Sequence, residues 1–323
     1  MTTSLLVIDA NTIKALAPPE KLIGWMRDAL VAVSRRDAVL PLRQGMAIPN
    51  GGGAIGIMPG FVGADVQSAG VKLVSLVPVE RRKGSSHLGL MVLYDADGLL
   101  PVALLCGATI TNIRTSAVTA VATDALARSD ARSLAILGTG EQSEAHVEAL
   151  RQVRPFDDIR IWGRNHGIAK TIAARHRIRA VEYVDEAIAG ADVVCTVTSA
   201  REPILFGSRL TPGTHVNLVG SSAADCREAD DDLVVKSRFF VDYRPSTLAQ
   251  AGEFLGAMKA GLIRENHIAG EIGEVLDGAV PGRTSPEEIT VYKSLGVAAE
   301  DIVTARHVFE LATKAGLGSK VTL

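Results

Sequence analysis

Cysteine is scarce in this chain. Its three residues, Cys106, Cys195 and Cys226, are odd in number, far apart and free of any CxxC spacing. That excludes a disulfide framework and a cysteine-based zinc site, and the expected setting is a reducing cytoplasm. The histidines (His87, His146, His166, His176, His215, His267 and His307) include no HxH or HxxxH pair, so no metal site is expected. Excess charge of either sign is also missing. The 34 basic and 36 acidic residues leave a formal net charge of −2, which gives no reason to expect nucleic acid or an anionic membrane as a partner. No apolar run approaches the ~20 residues that span a bilayer. The opening stretch MTTSLLVIDANTIK lacks a basic n-region, and Asp9 interrupts its apolar run, so it is not expected to act as a signal peptide. Internal repeats and low-complexity tracts are absent as well.

What remains is an ordinary globular composition, 47% hydrophobic and 22% charged over 323 residues, enough for two domains with separate cores. Leu5–Ile8 reads as a short strand. The helix expected over Pro18–Arg36 has proline at its start and apolar residues at steps of three and four. The texture then changes. Val39–Ile48, Ala54–Met58, Val66–Val77, Leu88–Tyr94 and Leu99–Leu105 are β-like runs punctuated by turn clusters such as Asn50-Gly51-Gly52-Gly53 and Asp95-Ala96-Asp97-Gly98. An α+β domain on an antiparallel sheet is expected. Thr109–Arg128, rich in alanine and threonine, reads as a helix bridging to a second domain.

That second domain opens on the most informative stretch, Ala131–Leu150. The apolar run Leu134–Leu137 leads into Gly138-Thr139-Gly140 and then into a helical pattern. Strand, glycine turn and helix begin a dinucleotide-binding βαβ unit. Gly138 would make the tight turn, and Gly140 would let backbone approach a pyrophosphate at the helix N-terminus. Ser143 stands where a third glycine is usual, so a plain structural turn stays open at this point. The pattern then repeats: strand Asp158–Trp162, helix His166–Arg175, strand Val181–Val184, helical turn Asp185–Ala189, and strands Asp192–Val197, His215–Val219 and Phe239–Asp242. The tail from Thr290 to Leu323 is expected to be helical. Alternating strands and helices imply an α/β Rossmann domain with a parallel sheet. The strand ending Trp162-Gly163-Arg164-Asn165 offers no acid for a ribose 2′-hydroxyl. Arg164 can instead pair with a 2′-phosphate, which favours NADP(H), with NAD(H) possible; a merely solvated loop arginine is the alternative.

Three cations in the first domain sit among apolar or small neighbours: Arg43 after Leu40-Pro41-Leu42, Lys72 within Gly70-Val71-Lys72-Leu73-Val74, and Arg114 within Ile113-Arg114-Thr115. A strand lysine usually faces solvent. If the three converge, they form a carboxylate pocket in which a desolvated Lys72 has a lowered pKa and exchanges a proton.

These segments resemble the ornithine cyclodeaminase/mu-crystallin family over nearly the whole chain. The matches include Met58-Pro59, Gly70–Val74, Ile113-Arg114-Thr115-Ser116-Ala117, Gly138-Thr139-Gly140-Glu141-Gln142, Thr198-Ser199, Asn217-Leu218-Val219-Gly220 and Glu288–Gly296. The resemblance implies a homodimer. Residues 1–118 and 301–323 would form the substrate-binding and dimerisation domain, onto which the C-terminal helix packs, and residues 119–300 the Rossmann domain. It implies that Arg43, Lys72 and Arg114 bind the substrate carboxylate beside Met58. It also places His87, Arg114, Thr115, Gly138, Gly140, Glu141, Gln142, Arg164, Asn165, Thr198, Val219, Gly220, Ser221 and Ser294 around the coenzyme. By residue type alone, Lys293-Ser294 would be an ordinary helix terminus.

One position departs from the cyclodeaminases, whose aspartate base aligns with Ser222. Ser222, with Lys72 and Arg114, is similar to the ketimine reductase branch. Serine is a poor base for an ammonium proton at neutral pH, and reducing a cyclic imine needs no such base. The implied activity is reduction of Δ1-pyrroline-2-carboxylate or Δ1-piperideine-2-carboxylate by NADPH. Amino-acid dehydrogenation, ornithine cyclisation and non-catalytic NADPH binding are the alternatives, and Asp225 could replace Ser222 if its loop bends.

Overall fold

Strand β1 (Ser4–Ile8) opens the chain in the computed structural model, which describes residues 4–63, 66–77, 87–97 and 99–322. Asp9 follows as the N-cap of a helix, Ala10–Leu16, accepting from the Thr12 amide at 2.8 Å. That helix has no counterpart in the sequence reading, where Asp9 is only a break in an apolar run. Helix Pro19–Ser34 buries Leu22, Met26, Leu30 and Val33 along one stripe. The run Val39–Ile48 is two strands, β2 (Ala38–Val39) and β3 (Gln44–Ile48), because Pro41 between them has no N–H for a ladder. Then come β4 (Gly53–Val62), β5 (Ser68–Leu76), β6 (His87–Asp95) and β7 (Pro101–Cys106). These pair antiparallel, as expected, except that β7 joins β1 in parallel.

Helix Gly107–Leu126 leads to β8 (Ser133–Leu137), helix Glu141–Leu150, β9 (Asp158–Trp162), helix His166–His176 and β10 (Arg179–Ala180). Next are helix Val184–Ile188, β11 (Val193–Thr196), β12 (His215–Leu218), helix Asp231–Lys236 and β13 (Arg238–Val241). The strand expected at Val181–Val184 lies two residues earlier, and Val184 starts a helix. After β14 (Ile268–Glu271) comes β15 (Thr290–Lys293), where a helical tail is expected. Every pairing is parallel, in the order β10-β9-β8-β11-β12-β15-β13-β14. The order reverses between β8 and β11, the switch point at which such sheets bind dinucleotides.

The chain ends with helix Ala298–Ala315 and β16 (Ser319–Thr322), which pairs antiparallel with β1. Two units result: residues 1–115 with 296–323, and residues 116–295. The limits thus fall at 115/116 and 295/296, not at 118/119 and 300/301. The second shift has a clear cause, since Glu300 and Asp301 are counter-ions for cations of the first unit. Helix Ala298–Ala315 covers one sheet face, with Ala298 and Ile302 over Gly60 and Ile302 over Gly70. On the other face Met46, Ile55, Ile57, Leu73, Leu88 and Leu90 are exposed, with Ile57, Leu73 and Leu90 aligned across three strands. Among the described residues no helix is long and apolar enough to cross a membrane.

Two histidines are sealed inside the 116–295 unit. His215 bonds Thr290 and Asn217, whose amide reaches Thr123, and His146 bonds Gln142 and Thr119. Burial lowers their pKa values to about 3 and about 4. Both stay neutral in the fold, while the unfolded chain takes up protons below about pH 6.5. Their contribution is complete above that pH and is lost on acidification, at about 1.4 kcal/mol per pH unit per histidine down to each folded pKa. Urea unfolding at pH 7 and pH 5 should show this loss, with a shallower slope in His146→Gln.

Candidate functional site

Lys72 lies in the middle of β5, paired with Met58 of β4 and Met91 of β6, on the face covered by helix Ala298–Ala315. Its ammonium donates to Asp301 Oδ2 at 2.7 Å and to Thr111 Oγ1 at 3.5 Å. Arg114, in helix Gly107–Leu126, donates through Nε to Asp301 Oδ1 at 3.2 Å and through Nη1 to Glu300 Oε2 at 2.5 Å. Lys72 is 3% exposed and Arg114 4%, so the solvent-facing alternative for the lysine does not apply. Arg43 is half-buried and donates to the Gly296 carbonyl at 2.8 Å. Gly296 has φ +74°, and a Cβ there would come within 2.6 Å of Arg114 Nη1.

The expected convergence of cations is therefore present, but with a correction. The cations arrive with acids: Lys72 meets Asp301, Arg114 meets Asp301 and Glu300, and Arg43 lies beside them on the Gly296 carbonyl. Burial pulls the Lys72 pKa down to about 8, with Asp301 opposing and Arg114 and Arg43 reinforcing. Burial alone would raise Asp301, but Arg114 and Lys72 hold it below the ordinary carboxylate range. Glu300 and Asp301 escaped the sequence reading. The available signal was an adjacent acid pair inside the apolar run Val297–Thr304. Thr115 is buried and spends its hydroxyl on the Thr111 carbonyl at 2.6 Å. The His87 side chain lies outside the described residues.

In the 116–295 unit, Gly138 has φ +131°, and its amide donates to the Trp162 carbonyl at 2.8 Å. A Cβ would come within 2.7 Å of the Val197 carbonyl. Gly140 N-caps helix Glu141–Leu150 with no side-chain acceptor, and a Cβ there would meet open space. Ser143, in the third glycine's place, is buried and bonds back to the Gly140 carbonyl at 2.6 Å. Glu141 and Gln142 form the first turn, the latter's carbonyl accepting from His146. Arg164 is exposed just past β9, and Asn165 caps the next helix through the Ile168 amide.

Glu228 gathers the ends of β11 and β12. Its Oε1 accepts from the Thr198 amide and hydroxyl at 2.8 and 2.7 Å. Its Oε2 accepts from the Thr196 hydroxyl and from the Gly220 and Ser221 amides at 2.8, 2.7 and 3.2 Å. Val219 is buried and bonds Thr196. Lys293 is no helix terminus. It ends β15 fully buried, reaching the Ser221 carbonyl at 2.7 Å and Glu253 at 3.1 Å, and Ser294 bonds Leu218. Burial raises the Glu228 pKa while Lys293 pulls against it. Ser222 is exposed, and Asp225 is exposed and engaged by Arg201 at 3.4 Å.

These features fit a dinucleotide. The turn can be made only without a side chain at Gly138, and the helix behind it presents amides with no side-chain cap.

Comparison with known proteins agrees. The model of the ornithine cyclodeaminase/mu-crystallin family matches residues 7–316. A Δ1-pyrroline-2-carboxylate reductase of Bacillus cereus is 34% identical over 325 residues, covering 98% of this chain and 99% of that protein. The ketimine reductase mu-crystallin of Mus musculus is 36% identical over 273 residues, 84% of each. The solved structure of Thermococcus litoralis Δ1-pyrroline-2-carboxylate reductase with NADH and L-proline is similar at a TM-score of 0.94. It is 33% identical, with 98% of this chain and 100% of that one covered.

Asp301→Asn should destabilise the fold by about 3–5 kcal/mol in denaturant unfolding, because it leaves Lys72 and part of Arg114 buried without a counter-charge.

Proposed function

The chain belongs to the ornithine cyclodeaminase/mu-crystallin family, and we propose that it reduces a cyclic imino acid, Δ1-pyrroline-2-carboxylate or Δ1-piperideine-2-carboxylate, to L-proline or L-pipecolate. NADPH is the preferred coenzyme and NADH is accepted. The observation that carries this reading is the buried Lys72–Arg114–Asp301 cluster with Arg43 beside it. The relatives named for the same reaction support it.

Arg43 and Arg114 hold the substrate carboxylate. Glu300 and Asp301 offset the charges of Lys72 and Arg114, which weakens the repulsion that bare cations would exert on a protonated imine. Lys72, with a pKa of about 8, carries a proton at Nζ at neutral pH and keeps the imine nitrogen protonated. Gly138, Gly140, Glu141, Gln142, Thr198, Val219, Gly220, Ser221 and Ser294 surround the coenzyme, with His87 and Thr115 at its nicotinamide side. Arg164 and Asn165 take its 2′-phosphate. The reduced nicotinamide, when bound, supplies the hydride for the C=N carbon. Ser222 offers no base for the reverse use of an ammonium, and Asp225 is exposed to solvent beside Arg201.

The protein acts as a homodimer. The exposed sheet face of Met46, Ile55, Ile57, Leu73, Leu88 and Leu90 supports this, since a contiguous apolar face of this kind marks an interface.

Incubation with NADPH and either imine should consume the nicotinamide absorbance, at a rate that declines as pH rises through about 8 and Lys72 loses its proton. Lys72→Met should cut kcat by about 10²–10⁴-fold, and Arg164→Asp should shift the preference to NADH. Turnover of amino acids alone would refute the reading. In sedimentation, Leu73→Glu with Leu90→Glu should give a monomer where the parent is a dimer.

A further inference from the structure

The mechanism above leaves a fully buried carboxylate without a role. Glu228 is 0% exposed, so it cannot touch a bound molecule, yet it accepts five hydrogen bonds. A carboxylate buried this deeply has to be paired and hydrogen-bonded. Here the donors come from two separate segments, the end of β11 with the turn after it (Thr196, Thr198) and the turn after β12 (Gly220, Ser221). Each oxygen serves mainly one of them. The carboxylate is thus a cross-link between two strand ends.

The fit around it is tight. A Cβ on Gly220 would run into the Thr198 backbone and Glu228 Oε1, so glycine is required there for the two turns to close on the same anion. The Ser221 peptide is held from both ends, its amide by Glu228 and its carbonyl by Lys293 at 2.7 Å. Glu253 completes the cluster, accepting from the Glu228 amide at 3.0 Å and meeting Lys293 at 3.1 Å. Three of the five donors are backbone amides, which can only donate and so favour the ionised form.

The strand order gives this cross-link its place. In a doubly wound sheet the first mononucleotide half holds the adenosine end of a dinucleotide, and the strand ends beyond the switch point face the other half. The turns after β11 and β12 are those ends. We propose that Glu228 is a positioning residue for the coenzyme: it fixes the turns at Thr198 and at Gly220–Ser221 in the spacing that the nicotinamide half of the dinucleotide requires, and Lys293 locks the second turn from behind. This rests on coenzyme binding by residues 116–295, as proposed above.

The test compares the wild-type protein with Glu228→Gln and with Thr196→Val, which removes one donor and keeps the charge. Dissociation constants for NADPH and NADH are measured by nicotinamide fluorescence without imino acid, and amide hydrogen exchange is followed in the same samples. In Glu228→Gln the constants should rise on the order of 10–100-fold, with faster exchange at Thr198, Gly220 and Ser221. Exchange in residues 68–76 and 298–315 should be unchanged. Thr196→Val should show a smaller rise in the same direction, and it keeps the test open if the first variant does not fold. Wild-type dissociation constants in a folded Glu228→Gln, or faster exchange at those amides with unchanged coenzyme affinity, would overturn the proposal. A wild-type protein that binds neither coenzyme would overturn both readings, and that outcome is told apart because it precedes any comparison of variants.

Discussion

Asp301 holds two buried cations at once, one on each oxygen, and the first unit is built around that contact. An ammonium and a guanidinium withdrawn from water each cost several kcal/mol unless a counter-charge meets them with good geometry. Oδ2 takes Lys72 and Oδ1 takes Arg114, while Glu300 meets the other side of the guanidinium. For this to happen, helix Ala298–Ala315 must lie close on β4 and β5. Gly60 and Gly70 make that approach possible, because side chains there would strike Ala298, Ile302 or Met91. Packing and electrostatics therefore call for the same helix placement.

The second unit meets the same difficulty with the signs exchanged. Its buried cluster has two carboxylates, Glu228 and Glu253, and one lysine, Lys293. Backbone amides and threonine hydroxyls supply the rest of the compensation. Such donors carry no net charge, so they can stabilise an anion without creating a second one to be balanced. The result is a rigid rim at the carboxyl ends of the parallel strands, opposite in character to an exposed loop.

Much of this was legible along the chain. Gly138 and Gly140 announce the dinucleotide turn, because only a glycine can take a φ of +131° against the Val197 carbonyl. Most strands up to β13 follow from short β-rich runs set off by turn residues, whereas β14 had no expected counterpart and β15 and β16 fall in a tail expected to be helical. Lys72 was visible as a charge among apolar neighbours. What was hidden depends on distance or brevity. Asp301 stands 229 residues beyond Lys72, and nothing local says that the two meet. The strand Arg179–Ala180 has two residues and no pattern to detect. β15 ends in Lys293, which by residue type reads as a helix terminus until Glu253 and the Ser221 carbonyl are seen around it. The parallel joining of β1 to β7 comes from topology, which no periodicity encodes.

The pairing of β16 with β1 bears on the order in which the chain can mature. Residues 116–295 contain every strand of their own sheet, so this unit can close while the chain is still being made. The other unit must wait for residues 296–322. Until then its sheet lacks an edge strand, the cover given by helix Ala298–Ala315 is missing, and Lys72 and Arg114 lack Glu300 and Asp301. The first 115 residues therefore complete their own unit last, although they are made first.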